Sequence, residues 1–424
     1  MTFVTRQAES NAVKQKNYWN IATAYLAYLD RNYPLAQTYL DRVNINEEGY
    51  KEQRDILAML IDLGQEERIT SEVEVRMFAQ YNDIFTRKDV EEGRTKASGF
   101  VMDLLSNRYY LQEDYAKSFM LLNSLRALED NPNLTLLNAI EALYNKPDKN
   151  TFEQYLTKDF RIGLSDAKKE AGVSVPNYIK YMKGFVYLTD DDLDMAKTMF
   201  RASGFSDVEL SSDVFGYNQI ECFECEDNMK TDYLSEFSYI ENTMSEEEVV
   251  STLISLQKDA EGSGLKAAKA NYLLGNFYYN TSVTGYYRNY LRFGYEGSYR
   301  HWFFNKINRD NIFKDQIFLK DIPTYYDNPV QMANEYLERA YALASGDEFK
   351  ARIVFALSKC EQEMHYEDVV HNGKEGSWWA RYNKDWVMIS DRQYFKEMMK
   401  YKNTRFFDEV EGNCMYFAYY VSHF

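Results

Sequence analysis

The chain has 424 residues, of which 45% are hydrophobic and 16% aromatic, and its formal net charge is −17. A field of this sign repels phosphate backbones and anionic lipid surfaces, so we expect no nucleic-acid partner. The four cysteines are too few for a disulfide scaffold, no apolar run approaches the length of a membrane span, and the scarcity of proline, six residues in all, favours a helical protein.

The N-terminal part of the chain predicts helix pairs joined by short turns. The first pair spans residues 17–43, with Asn32-Tyr33-Pro34 as its turn and Pro34 tolerated at a helix start. Its packing positions recur at helical spacing at Ala24, Tyr28, Tyr33, Ala36 and Leu40. Residues 46–95 are helical in pattern without a repeat signature, and a second pair spans residues 97–128.

The stretch from Tyr178 to Phe200 has the most regular pattern. The spacing G-x2-Y-x8-A-x3-F is formed by Gly184, Tyr187, Ala196 and Phe200. Small residues at Gly184 and Ala196 let two helices approach closely, and Asp192 is a candidate cap for the second helix. The acids of residues 190–194 lack the Gly and the distal Glu of a calcium loop, so a turn and a helix start explain them better.

The C-terminal part predicts a repeat that is split by an insertion. Leu274-Gly275-x2-Tyr278 has the pattern of a first helix, and Ala333-x3-Leu337-x2-Ala340 has that of its partner. Residues 280–329 lie between them, at a turn where an insertion leaves the core of the pair undisturbed. Upstream, residues 204–245 predict two acidic helices, around 213–226 and 231–242.

These patterns divide the chain into three expected parts. Residues 1–145 hold N-terminal helical repeats, and residues 146–265 hold the central unit and the acidic helices. Residues 266–424 hold the split repeat with its insertion, a helix from Glu348 to Glu363, and a terminal helical cap.

The spacing of the central unit resembles that of the tetratricopeptide repeat (TPR) superfamily. The resemblance is close at 178–203 and partial at 17–43, 97–128 and 270–340. The aromatic split repeat and the C-terminal end resemble, more faintly, large TPR-containing cell-envelope proteins of Bacteroidota. The TPR resemblance implies an all-α fold, a TPR-like α-solenoid of antiparallel helix pairs, with a concave groove for protein–protein assembly and no catalytic residues.

Common catalytic and metal-binding motifs are absent from the sequence. The sequence has no G-x-S-x-G, H-E-x-x-H, G-x4-G-K-[ST] or G-x-G-x-x-G motif, and its four His are scattered. Cys222 and Cys225 form a C-x2-C pair without a second ligand pair nearby, so we interpret them as two half-buried residues of a helix. Acid–base chemistry on a helical toroid stays open, but no carboxylate pair is singled out. We expect no enzyme activity, no cofactor and no metal.

The insertion at 280–329 is the candidate binding region. It has thirteen aromatic residues, and its seven basic and five acidic residues give a charge of +2 within a chain of −17. Aromatic and Arg side chains are typical of binding hot spots. A second aromatic patch contains Trp378 and Trp379. The candidate partner-binding residues of the insertion and of this patch are Tyr286, Tyr287, Arg288, Tyr290, Arg292, Tyr299, Trp302, Trp378 and Trp379. The alternative is structural: the rings fold back and seal the edge of the solenoid.

The sequence therefore predicts a non-catalytic TPR-type scaffold or adaptor that binds another protein. The alternative is a glycan-binding cell-envelope protein that uses exposed aromatic platforms. The location depends on the N-terminus: we expect the cytoplasm if Met1 is the natural start, and the cell envelope if an export signal precedes the present sequence.

Overall fold

The fold is built from helices in two compact units. The computed structural model describes residues 2–47, 49–85, 93–123, 125, 134–159, 173–206, 209–217, 233–282, 285–288, 290–291, 329–365 and 389–424. These residues form eighteen α-helices and one two-stranded sheet, which confirms the predicted all-α class. Within the same ranges, no helix combines the length and the apolar composition that a membrane crossing needs.

The first unit comprises Met1–Leu125 and Thr135–Gly163. Its helices are α1 (Thr2–Glu9), α2 (Lys16–Leu29), α3 (Tyr33–Leu40), α4 (Tyr50–Gln65), α5 (Ser71–Phe85), α6 (Gly93–Leu111), α7 (Tyr115–Leu122), α8 (Leu134–Asn145) and α9 (Thr151–Asp159). Each of the helices α2, α4 and α6 packs against the helix that follows it.

The second unit comprises Arg126–Leu134 and Leu164–Phe424. Its helices are α10 (Val175–Thr189), α11 (Leu193–Ser203), α12 (Glu246–Ala260), α13 (Gly264–Asn280), α14 (Pro329–Leu343), α15 (Asp347–His365), α16 (Gln393–Met398), α17 (Arg405–Asn413) and α18 (Met415–His423). The last four pack around a core that includes Phe355, Phe406 and Phe417. The three-part division expected from the sequence stays a prediction.

Three helix pairs share the same turn. In α2–α3, α6–α7 and α10–α11, a residue with positive φ precedes an Asn or Asp whose side chain caps the second helix. The positive-φ residues are Arg31, Glu113 and Asp191, and the caps are Asn32, Asp114 and Asp192, which accept from the backbone N–H of Leu35, Lys117 and Met195 at 3.2, 3.3 and 3.1 Å. The cap at Asp192 confirms the prediction for that residue.

Small residues lie where the helices of these pairs cross. They fall eight residues before and four residues after each cap, as Ala24 with Ala36, Ser106 with Ser118, and Gly184 with Ala196. In the second pair the two hydroxyls each donate to the partner residue's carbonyl oxygen at 2.7 Å. In the third pair a Cβ added to Gly184 would lie 2.6 Å from the ring of Phe200. The close approach expected from the spacing is therefore present.

The split repeat also packs as one pair. A Cβ added to Gly275 on α13 would lie 2.5 Å from Cγ of Leu337 and 3.2 Å from the carbonyl oxygen of Ala333, both on α14. Helices separated by the insertion in sequence are thus in close contact.

The prediction of two helices within 204–245 is wrong for the described residues of that stretch. They form two short 3₁₀ turns, Ser212–Phe215 and Leu234–Glu236, and a strand pair in which Leu210–Ser211 (β1) runs antiparallel to Thr243–Met244 (β2). The Ser211 hydroxyl accepts from the backbone N–H of Asp213 and so favours a tight turn. Burial of Val214 and Phe215 then holds the turn against the core.

A buried ion cluster joins α5, α7 and α9 in the first unit. The Lys117 ammonium contacts the carboxylate of Glu74 and lies 2.9 Å from Glu153 Oε1. The Tyr109 hydroxyl donates to Glu74 at 3.0 Å, and Lys146 lies 2.7 Å from Glu153 Oε2. Each buried carboxylate therefore has a cation and a hydrogen-bond donor, which is the condition for leaving a charge inside a protein.

Replacing Gly275 by Ala should destabilise the second unit. Overpacking costs about 1–3 kcal/mol, which outweighs the roughly 1 kcal/mol that Ala gains over Gly inside a helix. The measurement is the urea midpoint of unfolding. Gly99→Ala on α6 is the control, because nothing lies within 4 Å of its added Cβ, and its midpoint should rise. A higher midpoint for Gly275→Ala would show that α13 and α14 do not meet as closely as described.

Lys117→Met should lower the free energy of unfolding by about 3–5 kcal/mol, since it leaves two buried carboxylates without their shared cation. The matched control is Lys266→Met, whose side chain is 60% exposed in a pair with Asp259 and whose loss should cost about 1 kcal/mol or less. Urea unfolding of both variants gives the comparison. Equal effects would mean that the cluster is solvated rather than buried.

Two carboxylates should have opposite effects on how the free energy of unfolding changes towards low pH. Burial alone would raise the pKa of Glu153, but hydrogen bonds from Lys146 and Lys117 lower it below its ordinary value of 4.5. Its stabilising contribution is therefore complete above pH 4.5 and is lost as the pH falls through the folded-state pKa. Burial raises the pKa of Asp114 above 3.8, so that group opposes the loss.

We accordingly expect Glu153→Gln to flatten the decline of unfolding free energy towards low pH and Asp114→Asn to steepen it. The measurement is chemical unfolding at a series of pH values. Parallel curves for both variants and the wild type would contradict the assignment of these two shifts.

Candidate functional site

A wide concavity lies in the first unit, at the turn ends of its helices. We name it the turn-edge groove: a space of about 960 Å³ lined by the C-terminal ends of α2, α4 and α6 and the turns that follow them. Three apolar side chains at this groove are exposed, Leu29 at 57%, Phe100 at 40% and Leu111 at 72%. Exposed apolar side chains that line one concavity are typical of an interaction site.

The repeat geometry places two of these side chains equivalently. Leu29 and Leu111 each lie three residues before the capping residue of their turn. On α6, Phe100, Leu104 and Leu111 follow the spacing i, i+4, i+11, so they share one helix face. That face runs for about 16 Å along the groove, at 1.5 Å of rise per residue.

Hydrogen bonds hold the wall of the groove in place. The Gln112 side chain accepts from the backbone N–H of Ile69 at 2.5 Å and donates to the Ile69 carbonyl oxygen at 3.2 Å. The Arg108 guanidinium donates to the carbonyl oxygen of Glu66. The loop after α4 is thus tied to the end of α6, and the groove is formed without a partner.

The rim of the groove carries charges of both signs. Arg31, Glu67, Arg68 and Glu113 are exposed and line the space. None of the four has a side-chain ion pair or hydrogen bond to another described residue. Their charges cancel, so the groove is neutral at its rim within a chain of −17.

A smaller concavity in the second unit uses the corresponding turn. We name it the turn pocket: about 430 Å³ lined by the turn after α10 and by residues of α13 and α14. Asp191 Oδ1 accepts from the Tyr278 hydroxyl at 3.0 Å and from Gln257 Nε2 at 3.1 Å. The rings of Tyr278 and Tyr336 stack at 5.7 Å with 4° between their planes.

The described residues of the predicted insertion site are only partly on the surface. Tyr286 is 50% exposed and packs edge-to-face on the half-buried Tyr287 at 5.1 Å. Burial, with the nearby carboxylate of Asp213, raises the pKa of Tyr287 to about 12. Arg288 is half-buried and donates weakly to the Gly285 carbonyl oxygen at 3.4 Å.

Tyr290 lies in the core. It is 4% exposed and packs edge-to-face against Phe185 at 5.8 Å and Phe277 at 6.3 Å. The position of Tyr290 agrees with the structural alternative, in which the ring folds back onto the helices, and not with a surface contact. The remaining predicted residues lie outside the described part of the chain: Arg292, Tyr299, Trp302, Trp378 and Trp379.

The sequence patterns did not single out the groove residues. Leu29 and Leu111 are apolar residues at helix ends beside packed positions, and a periodicity argument assigns such residues to the core. The available signal was their shared place three residues before an Asn or Asp cap. Among the described residues no group of three or more His, Cys, Asp or Glu could hold a metal ion, and Cys222 and Cys225 lie outside those residues.

Comparison with known proteins adds no relative from which a function could be transferred. No protein-family model, curated protein or solved structure matches this chain. The function has to be inferred from the groove, the pocket and their chemistry.

Proposed function

We propose that this protein is a non-catalytic, TPR-like scaffold or adaptor that binds a segment of another protein in the turn-edge groove. The observation that carries the proposal is the exposure of Leu29, Phe100 and Leu111 around a concavity whose wall is already hydrogen-bonded in place. A preformed site saves the ordering cost that a flexible one would add to binding.

The repeated turn supports a TPR-like solenoid of antiparallel pairs. The same positive-φ residue and Asn or Asp cap occur in α2–α3, α6–α7 and α10–α11. The small-residue crossings and the split pair of α13 and α14 fit the same scheme. Stacking such pairs would bury a continuous core and leave their turn ends on one edge.

The partner segment we propose is an amphipathic helix. The apolar face of α6 runs along the groove for about 16 Å, which corresponds to three turns of a second helix packed beside it. Apolar side chains of that helix would contact Phe100, Leu104 and Leu111, as in other helix-in-groove complexes. Charges of both signs on the rim favour a partner that carries both.

Catalysis has less support than binding. The buried charged groups of the first unit, Glu74, Lys117 and Glu153, bond to one another in the interior and not in the groove. The glycan-binding alternative uses exposed Tyr and Trp platforms; among the described candidate residues Tyr286 is exposed, and its ring is edge-on to Tyr287 with 74° between the planes. A sugar platform would need the rings to present a common face.

We expect a partner to crosslink at the groove, and its affinity to fall when apolar residues of the groove are replaced. A photo-crosslinking amino acid at position 111, introduced in native cells, should capture one partner through an amphipathic helical segment. That segment, purified, should bind the wild type and lose at least about tenfold in affinity for Leu29→Glu/Leu111→Glu, because hot-spot contacts each contribute about 2 kcal/mol or more. Fluorescence anisotropy measures both affinities.

Val75→Glu is the matched control, since Val75 is exposed in the same unit and does not line the groove. Its affinity should equal that of the wild type, and circular dichroism should show all variants folded. If the segment bound the double variant as tightly as it binds the wild type and the Val75→Glu control, the groove would not be the binding site.

A further inference from the structure

The turn pocket of the second unit has a composition unlike that of the turn-edge groove. Its charged lining residues are Asp190, Asp191, Glu335 and Arg339, three acids and one base, which gives a net charge of −2. Its apolar walls are formed by Leu188, Leu291, Pro329 and Met332. An anionic ligand would meet a repulsive surface, whereas a cation with an apolar stem would meet carboxylates and apolar walls together.

Asp191 is held so that one oxygen remains for a ligand. Its Oδ1 accepts from Tyr278 and Gln257, while Oδ2 accepts no hydrogen bond from another described residue. A carboxylate oriented by two donors is preorganised for a third contact. Burial raises the pKa of this carboxyl, while the residue keeps an exposed part through which a cation can reach it.

The aromatic wall already accommodates a guanidinium. The Arg339 side chain lies over the ring of Tyr336, 5.4 Å from its centroid, and contacts Glu335 at 3.4 Å. Tyr278 backs the same ring in parallel stacking. This wall therefore offers the π-face and carboxylate combination that binds organic cations.

A bare metal ion is a poorer occupant than an organic cation. Among the described residues no group of three or more carboxylate, His or Cys side chains converges closely enough to hold one. The volume of about 430 Å³ is that of a small-molecule pocket rather than of an ion site.

We infer that the turn pocket binds an organic cation, an alkylammonium or guanidinium group on an apolar stem, with Asp191 as its main anchor. The group could belong to a Lys or Arg side chain of a protein or to a free amine, since both present the same chemistry. This site is independent of the turn-edge groove and does not rest on the function proposed for it.

Isothermal titration calorimetry of the full chain tests the inference with four compounds. These are 1,5-diaminopentane as the free amine, Nα-acetyl-arginine methylamide and its lysine analogue as the peptide forms, and 1,5-pentanediol as the neutral control. We expect saturable binding of at least one cation and none of the diol. Tighter binding of the diamine indicates a free amine, and tighter binding of the amino-acid derivatives indicates a protein side chain.

Two variants assign the binding to the pocket. Asp191→Asn keeps the oxygen that accepts from Tyr278 and tolerates positive φ, and it should weaken cation binding about tenfold, because it removes a hydrogen bond between two charged groups. Asp194→Asn removes the same charge from an exposed residue outside the pocket and should change little. Arg339→Gln removes the resident cation and should tighten binding.

Several results would overturn the inference. They are the absence of saturable cation binding to the wild type, equal losses in Asp191→Asn and Asp194→Asn, and equal binding of the diol. Equal losses of cation affinity in the two variants would show that the overall negative charge of the chain attracts the cation. Binding of the diol would show that the pocket is a site for polyols. Thermal unfolding of each variant confirms that the comparison is made between folded proteins.

Discussion

The three-residue turn between paired helices is the constraint on which much of this molecule depends. It requires one residue at positive φ and an Asn or Asp directly after it, whose side chain bonds the first turn of the next helix. Such a link is too short to let the helices diverge, so they meet at close range. Small residues at the crossing then become necessary, and Gly184, whose missing Cβ leaves room for the ring of Phe200, is the extreme case.

The same turn determines where chemistry reaches the surface. Arg31, Glu113 and Asp191 occupy one structural position in three pairs and differ in charge. Arg31 and Glu113 lie on the rim of the turn-edge groove, and Asp191 lies in the turn pocket. A repeated backbone can thus present different side chains at a common place without altering the packing.

Both units have buried charges and packed aromatic rings in their cores. In the first unit, Lys117 joins two buried carboxylates from separate helices and so links α5, α7 and α9. In the second unit, Phe185 packs edge-to-face on Phe200 at 5.0 Å, and Tyr278 stacks on Tyr336. The abundance of Tyr, 37 residues, is consistent with a core in which many rings must place a hydroxyl near a polar partner.

The sequence predicted the helical class, the short turns and the residues at the crossings. These features are local: helical periodicity, a capping side chain and a small residue each act within a few positions of the chain. It also placed the partner of the Gly275 helix beyond the insertion, because Ala333 and Leu337 repeat the spacing of the second helix. The prediction of helices was wrong for part of 204–245, because the pairing of Leu210 with Met244 depends on residues far apart in sequence.

The exposure of individual side chains, by contrast, followed from the tertiary packing. Tyr290 has the composition of a hot-spot residue and is in the core, whereas Leu111 has the composition of a core residue and is exposed. Exposure depends on what packs against a face, and that is set by helices distant in the chain rather than by the face itself. The groove and the pocket arise in the same way, from turns and helix ends that sequence spacing does not bring together.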